Sequence, residues 1–177
     1  MSKGTVRIDA VVTATNMQFS HDAHCPEISP IHCADPSFEI VPHEHHQGIF
    51  LTRFQSSISF GLGQGWQAKA DIPFDVKALT IEYTTPDGNA YTPPYGNIHH
   101  RKETLKGLGD SRLELQRFQR WGDTWVIGGG LGSMIPLGRT EENPYALTEQ
   151  GLTHQHIQMG GGTFDPIASL TAIASGH

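Results

Sequence analysis

Residues 49–63 read IFLTRFQSSISFGLG, and their side chains alternate between two kinds. The even-numbered row is mostly apolar and consists of Phe50, Thr52, Phe54, Ser56, Ile58, Phe60 and Leu62. The odd-numbered row from position 53 onward is polar or glycine: Arg53, Gln55, Ser57, Ser59, Gly61 and Gly63. Because a β-strand points successive side chains to opposite faces, this pattern predicts a strand with one apolar and one polar face. Such alternation is typical of membrane β-barrels, where lipid lies outside and water inside.

Comparable alternation elsewhere predicts about six strands in all. We place them at residues 5–15, 49–63, 66–77, 111–120, 125–138 and 164–175. Their connections alternate between long and short, and the short ones are the glycine-containing turns at 63–65 and 121–124. Pro73 lacks a backbone N–H, so a bulge or sheet edge is expected there. The fold class expected is all-β, an antiparallel up-and-down (meander) transmembrane β-barrel that is incomplete.

The predicted organisation has three parts. Residues 1–19 hold the first strand, residues 20–48 form a loop rich in His and Cys, and residues 49–177 form the remaining antiparallel strands. Long polar loops are expected at about 84–107 and 139–155. Loops of that length inside a compact domain are uncommon unless they have a function, so the first of them is the predicted constriction of a pore.

Composition excludes several classes of protein. The chain has 177 residues, enough for one domain, and only 37% are hydrophobic, with a mean hydropathy of -0.34. No apolar run approaches the roughly 18 residues that a spanning helix requires. The formal charge of -6 argues against nucleic acid as a partner. The N-terminus, MSKGTVRIDA, shows no apolar signal core. This indicates either a cytoplasmic protein or an exported chain whose signal is absent from this sequence.

The polar rows contain the candidate functional residues. If the apolar rows contact lipid, the opposite rows line a water-filled path, and mixed charge signs there predict weak selectivity. The predicted pore-lining residues are Arg53, Gln55, Lys69, Asp71, Arg112, Glu114 and Gln116. Trp66, Trp121 and Trp125 lie near the short turns, where an interfacial aromatic girdle would place them. Packing of these rings in a soluble core is the alternative.

Three short motifs resemble a known family. They are Gly107-Leu108-Gly109-Asp110, Pro136-Leu137-Gly138 and Gly160-Gly161-Gly162-Thr163-Phe164-Asp165-Pro166. Because of these motifs, residues 49–175 resemble the outer-membrane channel proteins of the meta-pathway of phenol degradation and related transporters. The resemblance implies a porin-like barrel of about twelve strands in the bacterial outer membrane, passing small and often hydrophobic molecules without catalytic residues.

Closure of such a barrel is incomplete in this sequence. Single-chain membrane barrels have about eight strands or more. Six predicted strands therefore indicate a portion of a longer barrel, or a chain that closes as a homo-oligomer. The expected partners are a lipid bilayer and a small-molecule permeant.

A second hypothesis comes from the chain's 11 histidines. Imidazole and thiolate groups bind Zn²⁺ or Cu, and five such residues fall within a short segment. These candidate metal ligands are His21, His24, Cys25, His32 and Cys33. Their spacing matches neither a CxxC pair nor an HExxH helix, and a solvated loop with a Cys25–Cys33 disulfide is the alternative. The corresponding function is a soluble β-sandwich or barrel that binds a metal or a small apolar ligand.

Catalytic motifs do not support an enzyme. The sequence has no GxSxG nucleophile elbow. The glycine run at 128–132 lacks the Lys-Ser/Thr of a phosphate loop. Glu141 and Glu142 lie in a polar stretch with no apolar pocket to raise a carboxyl pKa. We therefore predict a protein without enzymatic activity.

Overall fold

The computed structural model describes residues 1–22, 41–93 and 101–174, whose strands all belong to one antiparallel sheet. The strands are β1 (Val6–Asp22), β2 (Glu44–Gly63), β3 (Trp66–Thr84), β4 (Glu103–Leu108), β5 (Ser111–Trp121), β6 (Trp125–Ile135) and β7 (Asp165–Ala174). A short helix, α1 (Pro144–Glu149), lies between β6 and β7. The strand order is β1-β2-β3-β5-β6-β7, and β4 also pairs with β3. The predicted all-β antiparallel meander is confirmed as a half-barrel with six strand positions.

Within the described residues, no helix is long or apolar enough to cross a membrane.

β4 and β5 are two halves of one interrupted strand. Both pair with β3, and the interruption lies opposite Pro73. Three steps along β3, from Asp71 to Phe74, face four steps along the neighbouring strand, from Arg112 to Leu108. The Pro73 carbonyl accepts the Gly109 N–H at 3.0 Å. A backbone N–H at position 73, which proline lacks, would point to this same side of β3. Of the bulge or sheet edge predicted at Pro73, the structure shows a bulge, and it lies in the partner strand.

The two predicted short turns are also confirmed. Gly63, Gln64 and Gly65 have φ values of 94°, 52° and 81°, which lie in the left-handed region that favours glycine. A Cβ atom at Gly65 would lie 2.1 Å from the Phe118 carbonyl oxygen, so this turn packs directly on β5. Gly122, at the other short turn, has a φ of 63°.

Several element boundaries differ from those predicted. β1 continues to Asp22 and β2 begins at Glu44, so the connection is shorter than the one predicted at 20–48. Their polar ends belong to the ladder because His21 pairs with His45. β4 occupies the end of the loop predicted at 84–107, and α1 lies within the loop predicted at 139–155. Asn143 caps α1, since its side-chain oxygen accepts the Tyr145 N–H at 3.0 Å.

The lower part of the sheet, near the short turns, has its apolar side chains on the outside. Phe54 is 48% exposed and Leu131 is 72% exposed, whereas Asp75 on the opposite face is fully buried. We call this outward apolar row the belt. Its members on the first four strand positions include Val6, Ile8, Val12, Phe50, Phe54, Ile58, Phe60, Leu62, Trp66, Ile72, Phe74, Leu108, Leu113 and Leu115. The crowded inner face behind the belt is mostly polar.

The polarity reverses at the upper end of the same strands. There the inner face holds the small hydrophobic core of Ile49, Leu79, Leu105 and Met159. The outward row becomes polar, with Asn16 and Gln18 on β1, Thr80 and Glu82 on β3, and Thr104 on β4. The change falls at one level of the sheet, because the positions where it occurs face one another across paired strands. The half-barrel therefore has an apolar exterior below this level and a polar exterior above it.

Candidate functional site

The predicted pore-lining residues all occupy the inner face of the half-barrel. Strand register brings them together in cross-strand pairs: Arg53 faces Asp75, Lys69 faces Glu114 and Asp71 faces Arg112. Gln55 and Gln116 lie in the same inner rows. Their placement on one face follows from the alternation of side chains along each strand. Sequence alternation alone thus predicted which side chains share this surface.

Arg53 and Asp75 form a two-pronged ion pair across β2 and β3. Arg53 Nε donates to Asp75 Oδ1 at 2.7 Å and Nη2 donates to Oδ2 at 2.8 Å. The Asp75 side chain is 1% exposed, whereas that of Arg53 is 40% exposed. A buried carboxylate requires a charged partner of this kind, because desolvation alone would strongly disfavour its ionised form. The pair therefore allows a charge to remain in the wall of the sheet.

Asp71 and Glu114 form the centres of two further polar clusters. Asp71 accepts hydrogen bonds from Ser57 and from Lys69, whose Nζ lies 3.0 Å from Oδ1. Glu114 contacts Arg112 Nη2 at 2.6 Å and accepts hydrogen bonds from three side chains in total. The other donors to Glu114 are Gln116 at 3.0 Å and Ser169 at 2.7 Å. The Ser169 bond joins β5 to β7 on the inner face. Both buried carboxylates have hydrogen-bond donors, as buried polar groups generally do.

The charged groups of this surface are layered. The carboxylates of Asp71 and Glu114 are almost completely buried, while Lys69 and Arg112 remain about one-third exposed. Arg53 and Asp75 show the same arrangement. A solute next to the inner face would therefore meet the basic groups first and the acidic groups only behind them. Because each basic group is paired, the surface is polar and close to neutral.

Glycines on β6 make room for the inner-face side chains of its neighbours. A Cβ atom at Gly128 would lie 2.3 Å from the Phe118 ring, and one at Gly130 would lie 2.8 Å from Gln116 Cγ. At Gly132 the obstacle is backbone, since a Cβ atom would lie 1.9 Å from the Leu113 carbonyl oxygen. Glycine on the inner face of a strand leaves space either for a lumen or for bulky neighbours. The structure shows bulky neighbours.

Three glycine motifs that are distant in sequence meet at the Asp110 carboxylate. Asp110 Oδ1 accepts the Gly138 N–H at 3.0 Å, and Oδ2 accepts the Gly161 N–H at 2.6 Å. A Cβ atom on Gly160 would lie 2.2 Å from Asp110 Oδ1, and one on Gly138 would lie 2.6 Å from Gly160 Cα. We call Asp110, Gly138, Gly160 and Gly161 the clasp. Sequence reasoning noted these motifs but did not predict that they meet.

The segment between the two ends of the clasp lies over the inner face. Met159 is buried in the upper core, and Lys77 of β3 donates to the Gln158 carbonyl. Gln155 Nε2 donates to Glu103 Oε2 of β4 at 3.1 Å. We call residues 139–160 the inner loop. By contrast, residues 85–90 of the loop predicted to constrict a pore form a small turn, and residues 94–100 lie outside the described part of the chain.

Histidine and tyrosine side chains gather at the upper end of the inner face. His43 and His45 are buried, and their Nε2 atoms are 3.3 Å apart. The ring centroids of His21 and His45 are 4.7 Å apart, and those of His45 and Tyr83 are 5.0 Å apart. Burial, helped by the neighbouring His21, His43 and His46, lowers the pKa of His45 to about 3. Burial also raises the pKa of Tyr83 to about 12.

Of the predicted metal ligands, only His21 lies in the described part of the chain. His24, Cys25, His32 and Cys33 lie outside the described residues. Among residues 1–22, 41–93 and 101–174, no group of three or more His, Cys, Asp or Glu side chains is placed to hold a metal ion. Zinc or copper binding by the His/Cys-rich segment stays a prediction.

The tryptophans lie on the outside of the sheet near the short turns. Trp66, Trp121 and Trp125 are all exposed, which does not fit packing in a soluble core. The guanidinium of Arg117 lies over the Trp66 ring, 5.6 Å from its centroid. This geometry is a cation–π contact. The aromatic girdle stays a prediction.

Comparison with known proteins found no match to a family model, to a curated protein or to a solved structure.

Proposed function

We propose that this chain contributes to a bacterial outer-membrane β-barrel channel through which small molecules diffuse passively. The observation that supports this proposal is the reversed polarity of the lower half-barrel. Phe54, Phe60 and Leu131 are exposed on the outside, while Asp71, Asp75 and Glu114 are buried inside. In water this arrangement leaves a large apolar surface unpaired, whereas in a bilayer the same surface contacts hydrocarbon.

The height of the belt suits a bilayer. On β3 the outward apolar row extends from Trp66 to Val76. Ten steps of about 3.3 Å, at a strand tilt of about 40°, correspond to roughly 25 Å along the membrane normal. That is the height of the apolar band on outer-membrane barrels. Trp66 then lies at the lower interface, and the polar row from Thr80 upward lies above the membrane.

Within the described residues β1 and β7 are the edge strands of the sheet, and their directions are compatible with closure. β1 runs upward from the short-turn end, and β7 runs downward toward that end. The β7 edge of one copy could therefore pair antiparallel with the β1 edge of another and continue the meander. Two copies with six strand positions each would form a barrel of about twelve strands. The expected permeants are small molecules, including hydrophobic ones, and the paired charges favour weak charge selectivity.

Accessibility of neighbouring positions tests the proposal. Gln55 lies on the inner face and Ser56 on the belt, so Gln55→Cys and Ser56→Cys differ by one residue and one face. In a background with Cys25 and Cys33 changed to Ser, both variants are folded into phosphatidylcholine vesicles and treated with a charged thiol reagent. A channel predicts labelling at 55 and protection at 56. Labelling at position 56 with the protein in vesicles would overturn the proposal.

Conductance and solubility provide the second arm of this test. The folded protein is expected to need detergent or lipid, to form a species larger than a 19.4 kDa monomer and to conduct ions across planar bilayers. A chain that is monomeric, folded and soluble without detergent would contradict the channel. That outcome would favour a soluble single-sheet protein that binds a metal or a small apolar ligand.

A further inference from the structure

We infer that the inner loop, held by the clasp at Asp110, is the constriction that sets the size limit of the path. This inference rests on the proposed channel and identifies the part of the chain that narrows it. It differs from the constriction expected at 84–107. The class of permeant that it implies is defined by size. The loop narrows the upper opening with its backbone and with uncharged as well as charged side chains.

The first step of the argument is the origin of the clasp. Pro73 offers no N–H to the neighbouring strand, and the strand breaks opposite it at Gly109 and Asp110. A residue in such a break is released from regular strand pairing. Asp110 can therefore use both carboxylate oxygens for backbone N–H groups of the chain that enters and leaves the inner loop. Hydrogen bonds to a charged acceptor are among the stronger ones in proteins.

The second step is the close approach of the two loop ends. Gly138 and Gly160 pack backbone to backbone, with no space for a side chain on either. The Met159 N–H also donates to the Arg139 carbonyl at 2.9 Å. Both ends of the inner loop are thereby held together directly above the break between β4 and β5.

The third step is the direction in which the loop extends. From the clasp it reaches the inner face of three strands, where Met159 packs against Ile49 of β2, Leu79 of β3 and Leu105 of β4. Lys77 and Glu103 bind it through hydrogen bonds from the same face. A loop folded outward could make none of these contacts. In a closed barrel this face borders the path, so the loop occupies part of its cross-section at the upper end.

The test compares three variants in planar bilayers and in vesicles. Asp110→Ala removes the acceptor that holds both loop ends. Its matched control is Asp87→Ala, which removes the same charge from an exposed turn at the same end, where the carboxylate accepts hydrogen bonds from Thr85 and Asn89. A third variant replaces residues 143–156 with a short Gly/Ser linker. The ends of that replacement are close, since the Glu141 N–H donates to Gln158 Oε1 at 3.3 Å.

A constriction predicts that the linker variant conducts about twofold more than the parent protein or better, because permeation depends on pore diameter. It should also admit larger sugars in vesicle swelling. Asp110→Ala should show higher or noisier conductance, and Asp87→Ala should match the parent. Unchanged conductance and size limit in a folded linker variant would overturn the constriction while leaving the channel intact. Absence of conductance in every folded protein would instead overturn the channel itself.

Discussion

Arginine placed in the middle of the belt should be far more damaging than arginine placed above it. Ile72 lies six residues above Trp66 on the outward row of β3, so its depth is about 15 Å above the lower interface, near the middle of a 25 Å band. Thr80 lies on the same strand and the same face, about 20 Å higher than Ile72 along the membrane normal. Ile72→Arg and Thr80→Arg therefore form a matched pair that differs in depth.

The expected magnitude follows from those depths. Arginine costs about 2–4 kcal/mol on the lipid face at the bilayer midplane and about 0–1 kcal/mol near the interfaces. The two variants should therefore differ by roughly 2 kcal/mol or more in the free energy of unfolding. That difference corresponds to about a 30-fold change in the ratio of folded to unfolded protein.

Urea titration of protein folded in phosphatidylcholine vesicles, followed by tryptophan fluorescence, measures this difference. If the belt faces water instead, both positions are surface sites, and changes at such sites usually stay within about 0.5 kcal/mol. Equal midpoints for Ile72→Arg and Thr80→Arg, at equal slope, would therefore refute the assignment of lipid to the outer face.

Three other outcomes are expected. Gly132→Ala should lower the free energy of unfolding by about 1–3 kcal/mol in a urea titration, because its Cβ atom would meet the β5 backbone. Gly129→Ala on the belt should lower it less. Equal losses of stability in the two variants would contradict the close approach at Gly132. Arg53→Ala should lower the free energy of unfolding by about 3 kcal/mol, since it leaves a buried carboxylate unpaired. Asp75→Ala should lower it less, because it leaves a half-exposed cation. The reverse order in the same titration would be inconsistent with buried acidic groups behind exposed basic groups. His45 has a pKa of about 3 in the fold against 6.5 when unfolded, so stability at the upper end should fall as the pH drops below 6.5, by about 2 kcal/mol at pH 5. Hydrogen exchange of that region at pH 7 and pH 5 checks this, and the pH effect should disappear in His45→Phe.

The strands of the belt could be predicted because each has a clear period of two. In the 49–63 stretch, and again from Trp66 onward, a mostly apolar row alternates with a row that is mostly polar or glycine. Glycine-rich turns at 63–65 mark where the chain reverses. The irregularity at Pro73 could be predicted because proline has no backbone N–H. Local chemistry therefore decides this part of the fold.

The upper ends of the strands were missed because both of their rows are polar or mixed. His21 and His45 pair across β1 and β2, yet histidine in a stretch such as HEHHQ indicates a loop by composition. β4 was hidden for a related reason: its outward residues Thr104 and Lys106 are polar, and its inward Leu105 stands alone. Where the polarity of the two sheet faces reverses, the apolar row changes faces, and a search for one continuous pattern fails.

The clasp was beyond sequence reasoning because it depends on distant partners. Asp110 lies 28 residues from Gly138 and 51 from Gly161. Short glycine motifs show that backbone must pass close to something, but they do not show to what. The repeated basic-x-acidic spacing of Lys69-x-Asp71 and Arg112-x-Glu114 was a usable signal, since residues two apart on a strand share a face.

The clasp makes the mouth of the half-barrel modular. Within the described residues, the hydrogen bonds that Asp110 accepts come from the main-chain N–H groups of Gly138 and Gly161. The glycines contribute no side chains, so this attachment does not depend on the sequence between them. Segments of other lengths could be grafted between Gly138 and Gly160 while the wall beneath stays unchanged. An engineer could thus exchange the proposed constriction of this scaffold without redesigning its strands.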